Sequence, residues 1–356
     1  MKKMYIVLED GHIFEGKSFG ACNNTMGELV FTTGVVGYIE TITDNAFYGQ
    51  IVMQTFPLIG NYGMINEDVL TDKPALNGYI TRELCEMPSN FRTDSDINSY
   101  LTDKNIITVC DVDTREITKI IRENGVMNAC ITDDPSKVDM ESLKSFKIKD
   151  AVKAVCDTET KTYSCDNPEY SVAVLNLGAM SNIVDELVKR NCSVTVLPYN
   201  TTADEILNMN IDGVVISNGP GDPKENTEII NQVKNILGKK AVFGIGLGHQ
   251  IIALALGADT QKLKYGHRGG SQPVKDVVSG KVFATSQNHG YAVVCDSIDS
   301  KIGKVTYINV NDKSCEGIDY PELNAYGIQF TPDCFSATVS TDTLYNKFIS
   351  MMGGDK

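Results

Sequence analysis

Residues 241–256, AVFGIGLGHQIIALAL, carry the reading on which the fold turns. An apolar run, Ala241 to Phe243, enters Gly244-Ile245-Gly246-Leu247-Gly248, and a second apolar run, His249 to Leu256, leaves it. That order predicts a strand, a tight turn and a helix. In elbows of the G-x-nucleophile-x-G kind, the central Ser or Cys is held in a strained backbone so that its reactive atom stands beside free helix N-terminal amides. The centre here is Gly246, which has no side chain to attack with and accepts positive φ without strain. The frame of a nucleophile elbow is present without its nucleophile. The spacing G-x-G-x-G also departs from the G-x-G-x-x-G of dinucleotide loops.

Outward from this stretch, strands and helices alternate. Strands are predicted at Ser171 to Leu177, Ser193 to Pro198, Gly213 to Ser217 and Ala241 to Ile245. Helices are predicted between and after them, at Met180 to Arg190, Ala203 to Met209, Glu225 to Leu237 and Leu247 to Leu256. The pattern predicts an α/β domain built on a mostly parallel sheet with helices on both faces. Ligands of such sheets bind at the carboxyl ends of the strands, where GIGLGHQ and SNGPGDP (Ser217 to Pro223) both fall. From Lys262 to Phe330 the runs are β-like, and Thr341 to Met352 reads as a closing helix.

The N-terminal half has a different rhythm. From Tyr5 to about Phe146 short β-like runs are broken by glycines, with Asp10-Gly11 as a hairpin signal. Thr114 to Glu123 reads as an amphipathic helix with Ile117, Ile120 and Ile121 on one face and Gly125 as its stop. Lys147 to Pro168 is charged and polar. The expected organisation is a β-rich α+β domain over 1–150, a linker over 151–170 and the α/β domain over 171–356.

Composition narrows the function classes. In 356 residues, 46 acidic against 32 basic side chains give a formal charge of -14, which argues against nucleic-acid binding through a basic footprint. The start of the chain lacks an apolar run long enough for a signal peptide, and the longest apolar candidate, Ile251 to Leu256, is far short of a membrane span. Ten cysteines, none spaced C-x-x-C, read as reduced thiols of a cytoplasmic protein. Four histidines (His12, His249, His267, His289) without ligand spacing give no expectation of a metal site.

FGIGLGHQ, SNGPGDP, SQNHGYAV (Ser286 to Val293) and KYGHRGG (Lys264 to Gly270) together resemble the class I glutamine amidotransferase family. ELVFTTGVVGYIETITD (Glu28 to Asp44), FPLIGNYG (Phe56 to Gly63), SNFR (Ser89 to Arg92) and DVDTREITKIIRENG (Asp111 to Gly125) extend the resemblance to the carbamoyl-phosphate synthase small subunit. Only about Asp133 to Tyr170 is weakly matched. The resemblance implies a large ATP-dependent partner subunit, serving pyrimidine and arginine biosynthesis, that joins bicarbonate, ammonia and phosphate. No cofactor is expected in this chain, ATP and metal being expected on the large subunit.

Glutamine hydrolysis needs a thiolate, oxyanion amides, an imidazole and a carboxylate to orient it. In the family the cysteine stands at the elbow and the other two in a late His-Pro-Glu turn. By that resemblance the three catalytic positions are Gly246, Thr331 and Asp333, all changed, and the glutaminase is expected to be inactive. Cys334 is the nearest thiol by sequence, but it lies on a different loop from the elbow. The resemblance implies a glutamine pocket of Gly219, Gly221, Leu247, Gln250, Asn288, Gly290 and Tyr291, with Ala46 where the family places a serine. The alternative reading is a glutamine-binding sensor or regulatory pseudoenzyme.

Overall fold

Strand alternation organises both parts of the molecule. The computed structural model describes residues 1–180, 182–332 and 342–353. The chain divides into two compact units, Met1–Ala151 and Val152–Lys356.

In the first unit the strands are β1 (Lys3–Leu8), β2 (Ile13–Gly20), β3 (Thr25–Thr32), β4 (Gln50–Gln54), β5 (Leu58–Ile59), β6 (Gly78–Ile80), β7 (Glu83–Leu84), β8 (Ile107–Cys110) and β9 (Met127–Thr132). Its helices are α1 (Tyr38–Thr43), α2 (Ile97–Asp103), α3 (Thr114–Asn124) and α4 (Met140–Ser145), and α5 (Ala151–Val155) follows at the division. Seven strands close into a barrel in the order β1-β2-β8-β6-β4-β3-β9, and an antiparallel β9–β1 seam completes it. The hairpin predicted at Asp10-Gly11 forms, with Gly11 at φ 98 and its amide donating to Leu8 O at 2.9 Å.

Both faces of the strands at the centre of the barrel sequence, β4 and β6 above all, are buried. Met4, Ile6, Leu8, Leu29, Phe31, Ile51 and Met53 cluster with Ile117, Ile120 and Ile121 of α3. The alternate residues Val30, Val52 and Tyr79 join a second cluster with α1 and α2. Apolar runs such as IVMQ are the sequence trace of this two-sided burial, in place of the apolar/polar alternation of a half-exposed strand.

The second unit holds β10 (Lys161–Tyr163), β11 (Tyr170–Leu175), β12 (Cys192–Leu197), β13 (Gly213–Ile216), β14 (Ala241–Ile245), β15 (Thr260–Asp276), β16 (Val282–Val293), β17 (Lys304–Asn309), β18 (Cys315–Tyr320) and β19 (Ala325–Ile328). They form one sheet in the order β10-β12-β11-β13-β14-β19-β18-β17-β15-β16. The run β12-β11-β13-β14-β19 is parallel, and antiparallel strands extend it on both sides.

Its helices are α6 (Ile183–Val188), α7 (Ala203–Asn208), α8 (Thr227–Ile236), α9 (Leu247–Ala255) and α10 (Asp342–Gly353). Helix α7 starts at a capping box between Thr202 and Glu205, which satisfies two otherwise free backbone donors. Alternation along β14 sorts the helices onto two faces. Val242 packs with the cluster that includes α7, α8 and α9, whereas Ala241, Phe243 and Ile245 pack with α6 and α10. No described helix is long and apolar enough to cross a membrane.

Phe243 is the centre of the second face. Its ring stacks on Tyr326 at 4.4 Å between centroids and meets Tyr345 edge-on at 5.8 Å. Phe243→Ala is expected to cost about 3–5 kcal/mol of stability. Urea denaturation followed by circular dichroism measures it, and a loss below about 1 kcal/mol would mean that this layer repacks around the gap.

Candidate functional site

The parallel register sets Ile216 beside Gly244, so the loops that follow β13 and β14 emerge side by side. The second of these is the elbow. Gly246 sits at φ 56, ψ -110, and its amide donates to Ile328 O at 2.8 Å. That conformation is open to glycine and strained for other residues.

The neighbouring loop fills the space above it. The amide of Leu247 donates to Asn218 Oδ1 at 3.0 Å. A Cβ on residue 246 would stand 2.2 Å from that same Oδ1. A side chain on residue 246 and the present position of the Asn218 side chain therefore exclude one another.

Asn218 is itself fixed from below. Its carbonyl accepts from the Ala179 amide at 3.0 Å and from Ser217 Oγ at 2.8 Å, and Ser217 Oγ also accepts from the Leu177 amide at 2.8 Å. Gly219 lies so close to this loop that a Cβ there would meet Leu177 O at 2.2 Å and Leu247 Cδ2 at 2.9 Å. Gly221, at φ 89, turns the chain back.

Helix α9 places Gln250 one turn beyond the elbow. Its amide group donates to Tyr291 O at 2.7 Å and to Gln329 Oε1 at 2.8 Å, so both of its protons are engaged. This ties α9 to β16, the strand that carries Asn288, Gly290 and Tyr291. The β15/β16 hairpin has register shifts between Lys262 and His267 and between Gly269 and Gln272, and such bulges re-aim side chains.

The structure thus bonds Gln250 to Tyr291 and leaves Gly219 no room for a side chain beside Leu247. Asn288 and Gly290 share the Tyr291 strand, and Thr331 pairs with it further back through an amide donated to Ser286 O at 3.0 Å. Asp333 and Cys334 lie outside the described residues. Ala46 belongs to the first unit, in a turn where its amide donates to Asp44 Oδ1 at 2.9 Å.

The described histidines of this unit have distinct environments. His249 is fully buried, neither ring nitrogen has a hydrogen-bond partner among the described residues, and burial pushes its pKa down to about 3. It is neutral at physiological pH. His289 places Nδ1 2.8 Å from Tyr291 O and Nε2 3.0 Å from Gln287 Oε1, and burial pushes it well below the ordinary imidazole range.

His267 is the charged one. Burial works to lower its pKa, but the Asp312 carboxylate at 2.8 Å and Glu316 at 3.3 Å outweigh that and raise it to about 9. Burial pushes the Glu316 carboxyl up in spite of His267 and of the Gln287 amide that donates to it at 2.9 Å. Burial also opposes ionisation of Asp312, and the His267 contact prevails to hold that carboxyl well below the usual range.

Ligand atoms of His267, His289 and Glu316 fall within 4.8 Å of one another. Sequence spacing had given no sign of this cluster. Its members come from β15, β16 and β18, and the order in which those strands pair is not readable from the chain. The only trace was the polar content of a buried strand, since Gln287 and His289 alternate inward along β16.

Comparison with known proteins gives the class of the second unit. Residues 173–351 match the glutamine amidotransferase class-I family, and residues 6–131 match the carbamoyl-phosphate synthase small chain, CPSase domain. The chain is 43% identical to the carbamoyl phosphate synthase small chain of Listeria monocytogenes serotype 4b, over 99% of this chain and 98% of that one. Identity is 42% to the Clostridium perfringens protein of the same description, over 98% and 99% of the two chains, and 44% to that of Staphylococcus epidermidis, over 99% and 96%. The chain belongs to the carbamoyl-phosphate synthase small chain family.

The charged cluster has a pH signature. A histidine raised from 6.5 to about 9 stabilises the fold fully below about pH 6.5, and that contribution is lost as pH rises through about 9. Asp312, depressed from 3.8, acts with the opposite sign and loses its contribution as the medium becomes acid. Thermal stability is expected to decline from pH 6.5 to 9, and His267→Gln is expected to flatten that decline. An unchanged slope in His267→Gln would assign the pH dependence to other groups.

Proposed function

We propose that this chain acts as a carbamoyl-phosphate synthase small subunit whose own glutaminase is silent. It docks on a large subunit that binds ATP and metal, and that subunit takes free ammonia to make carbamoyl phosphate for pyrimidine and arginine synthesis in the cytoplasm. The observation that carries the reading is at the elbow, where Asn218 Oδ1 occupies the room of the missing nucleophile and holds the Leu247 amide.

The proton-transfer side supports the same reading. Thr331 has no group that ionises near neutral pH, and His249 is enclosed and neutral. Loss of a nucleophile and its base removes on the order of 10⁶ of acceleration in comparable triads. Residual hydrolysis at that level supplies no useful ammonia.

The glutamine pocket is proposed at Gly219, Gly221, Leu247, Gln250, Asn288, Gly290 and Tyr291, all of them in the second unit. Glutamine must displace the Asn218 side chain to reach the Leu247 amide, and the Gln250 protons are already spent. Weak glutamine binding is the consequence, and it is this that disfavours a sensor.

The purified complex with its large subunit is expected to make carbamoyl phosphate from ammonium and not from glutamine. Glutamine-dependent synthesis, or a thioester adduct in mass spectrometry, would overturn the proposal. Micromolar glutamine binding by calorimetry without any large-subunit association would favour the sensor instead. Gly246→Cys alone is expected to remain inactive and to lose stability, because its Cβ must expel Asn218 and reinstates backbone strain. Gly246→Cys with Thr331→His and Asp333→Glu is the minimum set expected to release ammonia from glutamine, and brisk release by the single variant would show that the late turn has been misassigned.

A further inference from the structure

The first unit contains a cavity of about 710 Å³ whose charge runs against that of the whole chain. Arg115, Lys119 and Arg122 of α3 line it, and Arg82 reaches it from the turn before β7. On a helix of 3.6 residues per turn, positions 115, 118, 119 and 122 fall within an arc of about 100°, on the side away from the buried isoleucines. The formal charge of the protein is -14, yet four cations converge here.

Most of this charge is uncompensated. The guanidinium groups of Arg82, Arg115 and Arg122 form no ion pair with any described residue, whereas Lys119 is held by Glu116 at 3.2 Å. Asp111, which feels the charge of Arg82, is held by Lys17 at 2.8 Å. Thr55 and Thr118 give their hydroxyl protons to the carbonyls of Thr32 and Thr114, which leaves their oxygens as acceptors, and Pro57 is apolar.

Three guanidinium forks on one wall suit an anionic ligand with several acceptor oxygens. The volume is in the range of small-molecule sites and exceeds that of a bare inorganic ion. We propose that this cavity binds a phosphate-bearing small molecule through Arg82, Arg115 and Arg122. It lies wholly within the first unit and does not depend on the state of the glutaminase.

Isothermal titration of the full chain with pyrophosphate, at about 50 mM and about 300 mM salt, tests it, with citrate as a carboxylate control. Pyrophosphate is expected to bind more tightly than citrate and to weaken with salt. Arg115→Gln with Arg122→Gln, both at exposed helix positions, is expected to weaken it by at least about tenfold, while Lys239→Gln leaves it unchanged. No saturable binding, equal binding by the double variant, or citrate as the tighter ligand would overturn the proposal. So would a double variant that keeps pyrophosphate affinity but loses association with a large subunit, since the arginines would then serve protein contact.

Discussion

The hydrogen bond from the Leu247 amide to Asn218 Oδ1 is the interaction on which the functional reading rests. It exists because two neighbouring parallel strands, β13 and β14, end in register and send their loops out together. It fits because residue 246 has no Cβ. A side chain there and the present position of Asn218 are mutually exclusive at 2.2 Å, so the choice of glycine and the placement of the asparagine are one structural fact.

The rest of the site is organised around keeping that corner rigid. Ser217 and Asn218 are tied to the end of β11, and Gln250 is tied to Tyr291 and Gln329. Beyond Tyr291, the His289 ring meets His267 edge-on at 4.9 Å, and His267 is clamped between two carboxylates. Buried polar groups of this kind are stable only when their partners are all present. The strand that carries Asn288, Gly290 and Tyr291 therefore has a charged, hydrogen-bonded support behind it.

Much of this was legible in the chain. The strand-turn-helix at 241–256, the alternating elements from Ser171 onward, the Asp10-Gly11 hairpin and the isoleucine face of α3 follow from local periodicity and turn chemistry. Helix α6 is shorter than the Met180 to Arg190 predicted for it, because apolar spacing marks the packed turns and not where the flanking backbone stops coiling. Non-local features left no comparable trace. Closure of the first unit into a barrel requires β1 to pair with a strand more than a hundred residues away, and no periodicity encodes that. The His267, His289 and Glu316 cluster and the Asn218 contact likewise depend on which strands become neighbours. The cationic cavity was half visible, since the Arg115 to Arg122 face could be read from helix spacing while Arg82 could not.

Barrel closure also constrains the order in which the polypeptide can mature. The seam joins Ile6 to Ile131, so β1, with β2 as its early neighbour, waits for its second edge until β9 has left the ribosome. Throughout that interval Met4, Ile6 and Leu8 have no finished interior to enter. Nascent chains arrested before Thr132 thus present an open, sticky rim, a natural target for chaperones during synthesis.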